Sequence, residues 1–269
     1  MGNIRPVLSN DKKTVTFGLY PQTLVTDANL LKRLDSHETT KSSNGYYTLN
    51  GEYFVKINAH PYDKRYVFND LTKIYDGDAY WFKCEPIQWS IIHCYRDVYL
   101  LRCRHIIDLH RYHDSVKETR LGLFKKAIPG DYMYSELRSW LNNEFVRKAF
   151  FSDTSALLSA SDIKDCMSEA YSHFSELDSD KVFLLPSYVY SKCAHLNEFT
   201  GYRFSYIGHL SDYVLARGAD LESFYWSTDD ALLSGLECAR VYSITSYGEY
   251  SRKVTDERVG VIPIIAVKL

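Results

Sequence analysis

The densest set of side chains able to hold a metal ion is His105, Asp108, His110, His113 and Asp114. A zinc-protease helix sets two histidines four residues apart with a glutamate between them, so that both imidazoles leave one face. Here successive histidines are five and three apart, and the set reads as a polar loop after a strand. Asp229 and Asp230, beside Trp226 and flanked by Glu222 and Glu237, offer the hard oxygens that calcium takes. Adjacent aspartates more often form turns and caps, and no Glu-Pro-Asn or Gln-Pro-Asp tripeptide supplies paired carbonyl ligands. For nucleophilic chemistry the thiols are Cys166, Cys193 and Cys238, with His173, His195 and His209 near them in sequence. A cysteine and a histidine must meet in space, and on a helix Cys193 and His195 point to different faces. A free cysteine is most often a buried thiol. The 13 glycines are isolated or in turns, so no loop cradles a phosphate. On these grounds no catalytic residue, metal ligand or cofactor is assigned.

A different pattern occupies Tyr225, Trp226, Arg240, Tyr242, Tyr247, Tyr250 and Arg252, with Asp229 and Asp230 among them. Aromatic rings and guanidinium groups are the usual anchors of interfaces, because they bury large areas while keeping a polar end. These nine residues are the expected ligand-binding set. The chain carries 23 tyrosines, and tyrosine also suits strands, so part of this set is structural.

The elements that would position such a set follow from periodicity. Thr14 to Tyr20 alternates as a strand and is expected to end at Pro21. Thr26 or Asp27 caps a short helix with Leu30, Leu31 and Leu34. Tyr46–Leu49 and Glu52–Ile57 flank Asn50-Gly51, the strongest short signal for a type I′ hairpin. Residues 60–78 read as a loop-rich connection with a turn at Asp76-Gly77. Ala79–Cys84, a break at Pro86, Ile87–Cys94, a turn near Arg96-Asp97 and Val98–Cys103 form a meander. Ser135 is the N-cap of the best helix, with Leu137, Trp140, Leu141 and Phe145 on its apolar face. A second helix spans Ser152 to about Cys166, then come a buried strand at Lys181–Leu185 and a helix at Tyr188–His195. Val259–Leu269 reads as a buried terminal strand.

With 45% hydrophobic residues the chain can bury a sizeable core, and 32 basic against 34 acidic residues leave a net charge of -2. No global field steers it to nucleic acid or anionic lipid. The longest apolar run is too short for a membrane span and is interrupted by Pro263. Residues 1–10 do not resemble a secretory signal, and the six cysteines form no CxxC pair. The expected compartment is cytoplasmic, with virion association or non-classical export left open.

Seven segments, in order, carry a resemblance: Phe17–Thr23, Tyr80–Trp89, Leu137–Phe145 with Ala149-Phe150, Asp180–Leu185, Ser211–Gly218, Tyr225-Trp226 and Gly260–Ile264. Together they resemble a bacterial and phage family of uncharacterised domains grouped with the C-type-lectin-like fold. The resemblance implies an α+β architecture: two main helices against a mixed, largely antiparallel sheet, paired first and last strands, and a long loop-rich excursion. It implies one such domain over residues 14–269 after an extension of residues 1–13. It also implies a non-enzymatic recognition domain that binds a protein or glycan through residues of about 205–252. One alternative is a phage or prophage protein that binds a host factor or defence component. Another is a lectin-fold enzyme of the formylglycine-generating oxidase type, although Cys238 stands without the close cysteine partner such enzymes use. The sequence departs from the family pattern where Trp226 is followed by Ser-Thr-Asp-Asp and where Val261-Ile-Pro263 replaces Val-Arg-Pro.

Overall fold

The computed structural model describes residues 5–36, 39–114, 119–121, 125–127, 131–151, 154–164, 178–184, 210–221, 225–230, 240–245, 248–253, 255–256 and 259–269. In chain order the strands are β1 (Val7–Leu8), β2 (Thr14–Leu24), β3 (Thr40–Lys41), β4 (Tyr47–Leu49), β5 (Glu52–Asn58), β6 (Ala79–Tyr95), β7 (Val98–Cys103), β8 (Asp108–Leu109), β9 (Thr119–Leu121) and β10 (Lys125–Ala127). They continue with β11 (Leu157–Leu158), β12 (Val182–Phe183), β13 (Tyr225–Asp230), β14 (Arg240–Thr245), β15 (Gly248–Lys253), β16 (Gly260–Val261) and β17 (Ile264–Lys268). The helices are α1 (Ala28–Leu34), α2 (Glu136–Trp140), α3 (Val146–Ala149), α4 (Ala160–Ile163) and α5 (Asp212–Arg217). The expected helix at Tyr188–His195 lies outside the described residues.

The spine is β6, a single strand of 17 residues that runs through Pro86. A proline cannot donate to a ladder and is tolerated where one side needs no donor. The pairing meets that condition. Partner β5 reaches only as far as Lys83, and partner β7 begins at Trp89. Around Pro86 the strand therefore has only β2 beside it, where Leu19 stands opposite Pro86. The expected break at Pro86 and the expected end of β2 at Pro21 are both corrected, since β2 continues to Leu24 through irregularities at Thr16/Leu19 and Pro21/Thr23. In the first irregularity Gly18 has φ +76, and a Cβ there would lie 2.7 Å from the Phe150 ring and 2.9 Å from the Ala149 carbonyl oxygen. The backbone of β2 thus touches the helix directly.

The Asn50-Gly51 hairpin forms as the sequence predicts, with φ of 53 and 81 joining β4 to β5. Its inner residues Leu49 and Phe54 pack with Val25, Leu34 and Trp81 in a satellite core under α1. Asp27 is the N-cap, accepting the Leu30 N–H at 2.7 Å.

The final segment departs from expectation in two ways. Val259–Leu269 is two strands in different sheets, separated at Pro263, whose carbonyl accepts the Cys103 N–H at 2.9 Å. Nor does it pair with β2: β17 lies between β7 and the short strands β11 and β12, in the sheet order β11-β17-β7-β6-β5-β4-β3. The smaller sheet has the order β15-β14-β13-β16-β8, mixed because β13 runs parallel to β16.

Ser135 caps the main helix, its hydroxyl accepting the Arg138 N–H at 3.0 Å. Leu137, Leu141, Phe145 and Ala149 are all fully buried, a strict four-residue spacing. An α-helix advances such a row by about 40° per step, enough to turn it off the sheet within a few steps. The π turn Leu141–Phe145 between α2 and α3 winds more residues into a turn and keeps the row facing the core. Trp140, expected on that face, is only partly buried and packs against His110. The expected helix from Ser152 to Cys166 is reduced to α4, preceded by β11. Arg138 grips Asp180 with two bonds of 2.6 and 2.9 Å, and the side-chain Oδ1 of Asn142 accepts the Lys181 and Val182 N–H groups. Two of the resembling segments thereby hold each other.

Candidate recognition surface

The expected binding set divides sharply. Trp226 is 0% exposed and donates its indole N–H to the His110 carbonyl at 2.7 Å, with the Tyr112 ring on its edge. Tyr225 is equally buried, beneath the Arg102 guanidinium. Both are core, which corrects their assignment to a recognition face. Asp229 and Asp230 lie on β13, whose register shifts between Trp226 and Asp230. On the outer strands, Arg240 stands opposite Lys253 and Tyr242 opposite Ser251, whereas Tyr250 stands opposite Ser243 and Arg252 opposite Val241. Tyr247 lies outside the described residues.

The polar residues after β7 have structural partners. The carboxylate of Asp108 is buried and accepts from the Tyr20 hydroxyl at 2.7 Å, the Tyr213 hydroxyl at 3.3 Å, the Arg217 Nε at 3.1 Å and the Leu109 N–H at 2.8 Å. Burial first, and then the Asp108 charge, hold both phenols well above the usual tyrosine range. His113 pairs through Nδ1 with Glu136, and His110 Nδ1 lies 2.6 Å from the Arg111 carbonyl. Among the described residues no group of three or more His, Cys, Asp or Glu is arranged to hold a metal ion. Burial pushes the Cys103 thiol up to about 11 and the Cys84 thiol higher still, which suppresses the thiolate that nucleophilic chemistry needs. Cys94 is exposed, while Cys166, Cys193 and Cys238 lie outside the described residues.

The surface with the features of a recognition site is one read in the sequence only as a connection. Between β5 and β6 the chain folds back at Val67 and Lys73, burying Phe68 and Ile74. Its turn is tightly bonded: Phe68 N–H to Thr72 O at 2.8 Å, Leu71 N–H to Phe68 O at 2.9 Å, and Thr72 N–H to the Asp70 carboxylate at 2.8 Å. The base is clamped to α5. The backbone and side-chain N–H groups of Asn69 both reach Asp212 at 2.8 Å, and the His60 N–H reaches the Ala216 carbonyl at 2.7 Å. Gly218 lets the chain pass so closely that a Cβ would lie 2.6 Å from the His60 carbonyl oxygen.

On this base Leu71 is 79% exposed at φ +70, with Tyr62, Val67 and Tyr75 also exposed. Leu221 joins them where its N–H meets the Tyr66 hydroxyl. These are five of the nine exposed large hydrophobics among the described residues, all of them in this loop or in the residue hydrogen-bonded to it. A leucine in the left-handed region costs about 1–2 kcal/mol, here spent on holding an apolar side chain in water. The available sequence signal was the Asn69-Asp70 turn pair with an apolar residue at its tip.

The fold is thus α+β, sheet-rich and largely antiparallel with few helices. Residues 97–269 match the family described as Domain of unknown function (DUF6273), and the chain belongs to that family. No curated protein and no solved structure matches the chain. The loop bearing Leu71 precedes the matched residues, yet the sheet joins the two parts, because the β6–β7 pairing crosses the start of the match. No helix among the described residues is long and apolar enough to cross a membrane.

Proposed function

We propose that the chain is a non-enzymatic recognition domain that binds a protein partner, with the Tyr62–Tyr75 loop and Leu221 as its contact surface. The observation that carries this reading is Leu71, exposed in a left-handed turn held by hydrogen bonds of the Phe68, Leu71 and Thr72 N–H groups. A rigid display of apolar anchors lowers the ordering cost of association. The outer strands β14 and β15, with Arg240, Tyr242, Tyr250 and Arg252, are proposed as a second contact region on the strength of their composition. A C-type-lectin-like scaffold and a phage or prophage origin belong to the same proposal and rest on the ordered segments. The separation of β17 from β2 by β7 and β6 weighs against the lectin-like part. The host-factor alternative uses the same surface and differs in partner.

The test is quantitative capture from bacterial lysate on immobilised wild type, Leu71→Gly, Tyr75→Ala and Tyr242→Ala. A protein retained by wild type and lost by the Leu71 and Tyr75 variants supports the loop. Loss with Tyr242→Ala alone moves the surface to the outer strands. Equal retention by all four variants overturns the proposal.

A further inference from the structure

With one exception, the terminal strands of the two larger sheets are two residues long: β1, β3, β11 and β12 in the main sheet and β8 in the smaller one. So short an edge offers few free N–H and C=O groups to another chain. Beyond β1, strand β2 lies against the main helix at Gly18 and gives its Leu24 N–H to Asp212 at 3.0 Å. The exception is β15, which ends the smaller sheet with six residues, all in register with β14 and without a shift. It contains neither a proline nor a bulge, two devices that ordinarily blunt an edge. Among the described residues no strand pairs with its outer side.

The inner side of this edge holds one unfavourable pairing. Arg240 of β14 stands directly opposite Lys253 of β15, and like charges across a ladder destabilise it. The strand itself reads Gly-Glu-Tyr-Ser-Arg-Lys. In an antiparallel ladder opposed residues turn their backbone groups to the same side, so two copies of one strand meet only in registers that oppose residues an even number apart. Centred on Ser251, such a register sets Glu249 opposite the partner's Lys253, Tyr250 opposite the partner's Arg252 and Ser251 opposite the partner's Ser251. Opposite charges, a ring with a guanidinium and paired hydroxyls are all favourable neighbours. The row then runs Arg240, Lys253, the partner's Glu249, so a carboxylate joins the two cations. Centred on Tyr250 instead, Glu249 meets only the partner's Ser251, and a parallel in-register alignment sets like charge beside like charge at Glu249, Arg252 and Lys253.

We infer that β15 joins two copies of this chain, edge to edge and antiparallel about a two-fold axis at Ser251, into one continuous sheet. Two-fold pairing uses up the open edge of both copies and closes the assembly at two. The inference rests on the reading of β14 and β15 as a contact region and names the partner of that region. It uses none of the residues of the loop that carries Leu71. A contact this short belongs to the small, reversible class of interface.

Sedimentation velocity of the full chain over a range of concentrations should show a reversible monomer–dimer equilibrium. Glu249→Lys and Lys253→Glu should each weaken it about tenfold or more, because the two-fold axis repeats every altered pair. The double variant restores opposite charges in reverse order and should recover the wild-type affinity. Lys253→Glu also removes the like-charge pairing with Arg240, so its thermal midpoint in dilute solution should not fall, which separates a lost contact from a damaged fold. A chain that stays monomeric at every concentration overturns the inference. So does a dimer that neither single variant weakens, or one that the double variant fails to restore. Leu71→Gly should dimerise like wild type, and a dimer lost there but kept in Lys253→Glu would place the contact on the loop instead. A dimer that persists while lysate capture fails would sink the loop reading and uphold this one.

Discussion

The indole N–H of Trp226 reaches the carbonyl of His110 at 2.7 Å, tying the strand that begins the outer ribbon to the segment behind β8. Trp226→Ala should therefore destabilise the fold by about 3–5 kcal/mol through cavity formation. Trp226→Phe should cost less, at about 1–3 kcal/mol for the orphaned carbonyl and the smaller ring. Urea unfolding of both variants checks this, and an unchanged midpoint for Trp226→Ala would return the residue to the surface.

The Tyr20 and Tyr213 hydroxyls face the buried Asp108 carboxylate, and both phenols titrate well above their ordinary value in the folded state. The unfolded chain loses these protons near pH 10 while the folded chain keeps them. The stabilisation is thus fully present below about pH 10 and falls as pH rises through and beyond that value. Above pH 10 each phenol should contribute a slope of about 1.4 kcal/mol per pH unit. Tyr213→Phe should flatten the decline relative to wild type in urea melts between pH 9 and 11.

Leu71→Gly should raise stability by about 1 kcal/mol, because glycine adopts the left-handed turn without penalty. Few truncations of a large apolar side chain carry that sign. A rise in thermal midpoint would show that the leucine is kept at the expense of the fold. A fall would mean that its side chain packs.

Gly18→Ala combines a positive φ with a Cβ 2.7 Å from Phe150 and 2.9 Å from the Ala149 carbonyl oxygen. The expected loss is about 2 kcal/mol or more, read by guanidinium melts. Phe150→Leu should recover only part of it, since the backbone contact at Ala149 remains.

Much of the scaffold was legible in local sequence. Asn50-Gly51 specified its turn, Asp27 and Ser135 their caps, and Leu137, Leu141 and Phe145 their common face, because each depends on residues only a few positions apart. Pro86 and Pro21 misled for a stated reason: a proline ends a strand only where its nitrogen faces a neighbour that needs a donor, and those neighbours are decided by residues far along the chain. The same distance hid the partner of β17. The site was less legible still. Tyr225 and Trp226 have the composition of an interface, but aromatic and arginine content alone cannot distinguish a buried cluster from an exposed one. Leu71 drew no notice because its significance lies in a backbone angle and in the clamping of Asn69 by Asp212, neither of which a linear reading supplies.

The pairing of Arg102 with Ile264 and of Leu101 with Ile265 governs the order of events during synthesis. Strands β2 to β7 emerge early and pair among themselves. Their apolar edge at Leu100 and Leu101 must then wait for almost the whole remaining chain before β17 arrives to cover it. Closing so long a loop is slow, and an open edge of this kind invites pairing with another chain. Nascent chains stalled before Ile264 should be the aggregating, chaperone-dependent species, however well formed their first half has become.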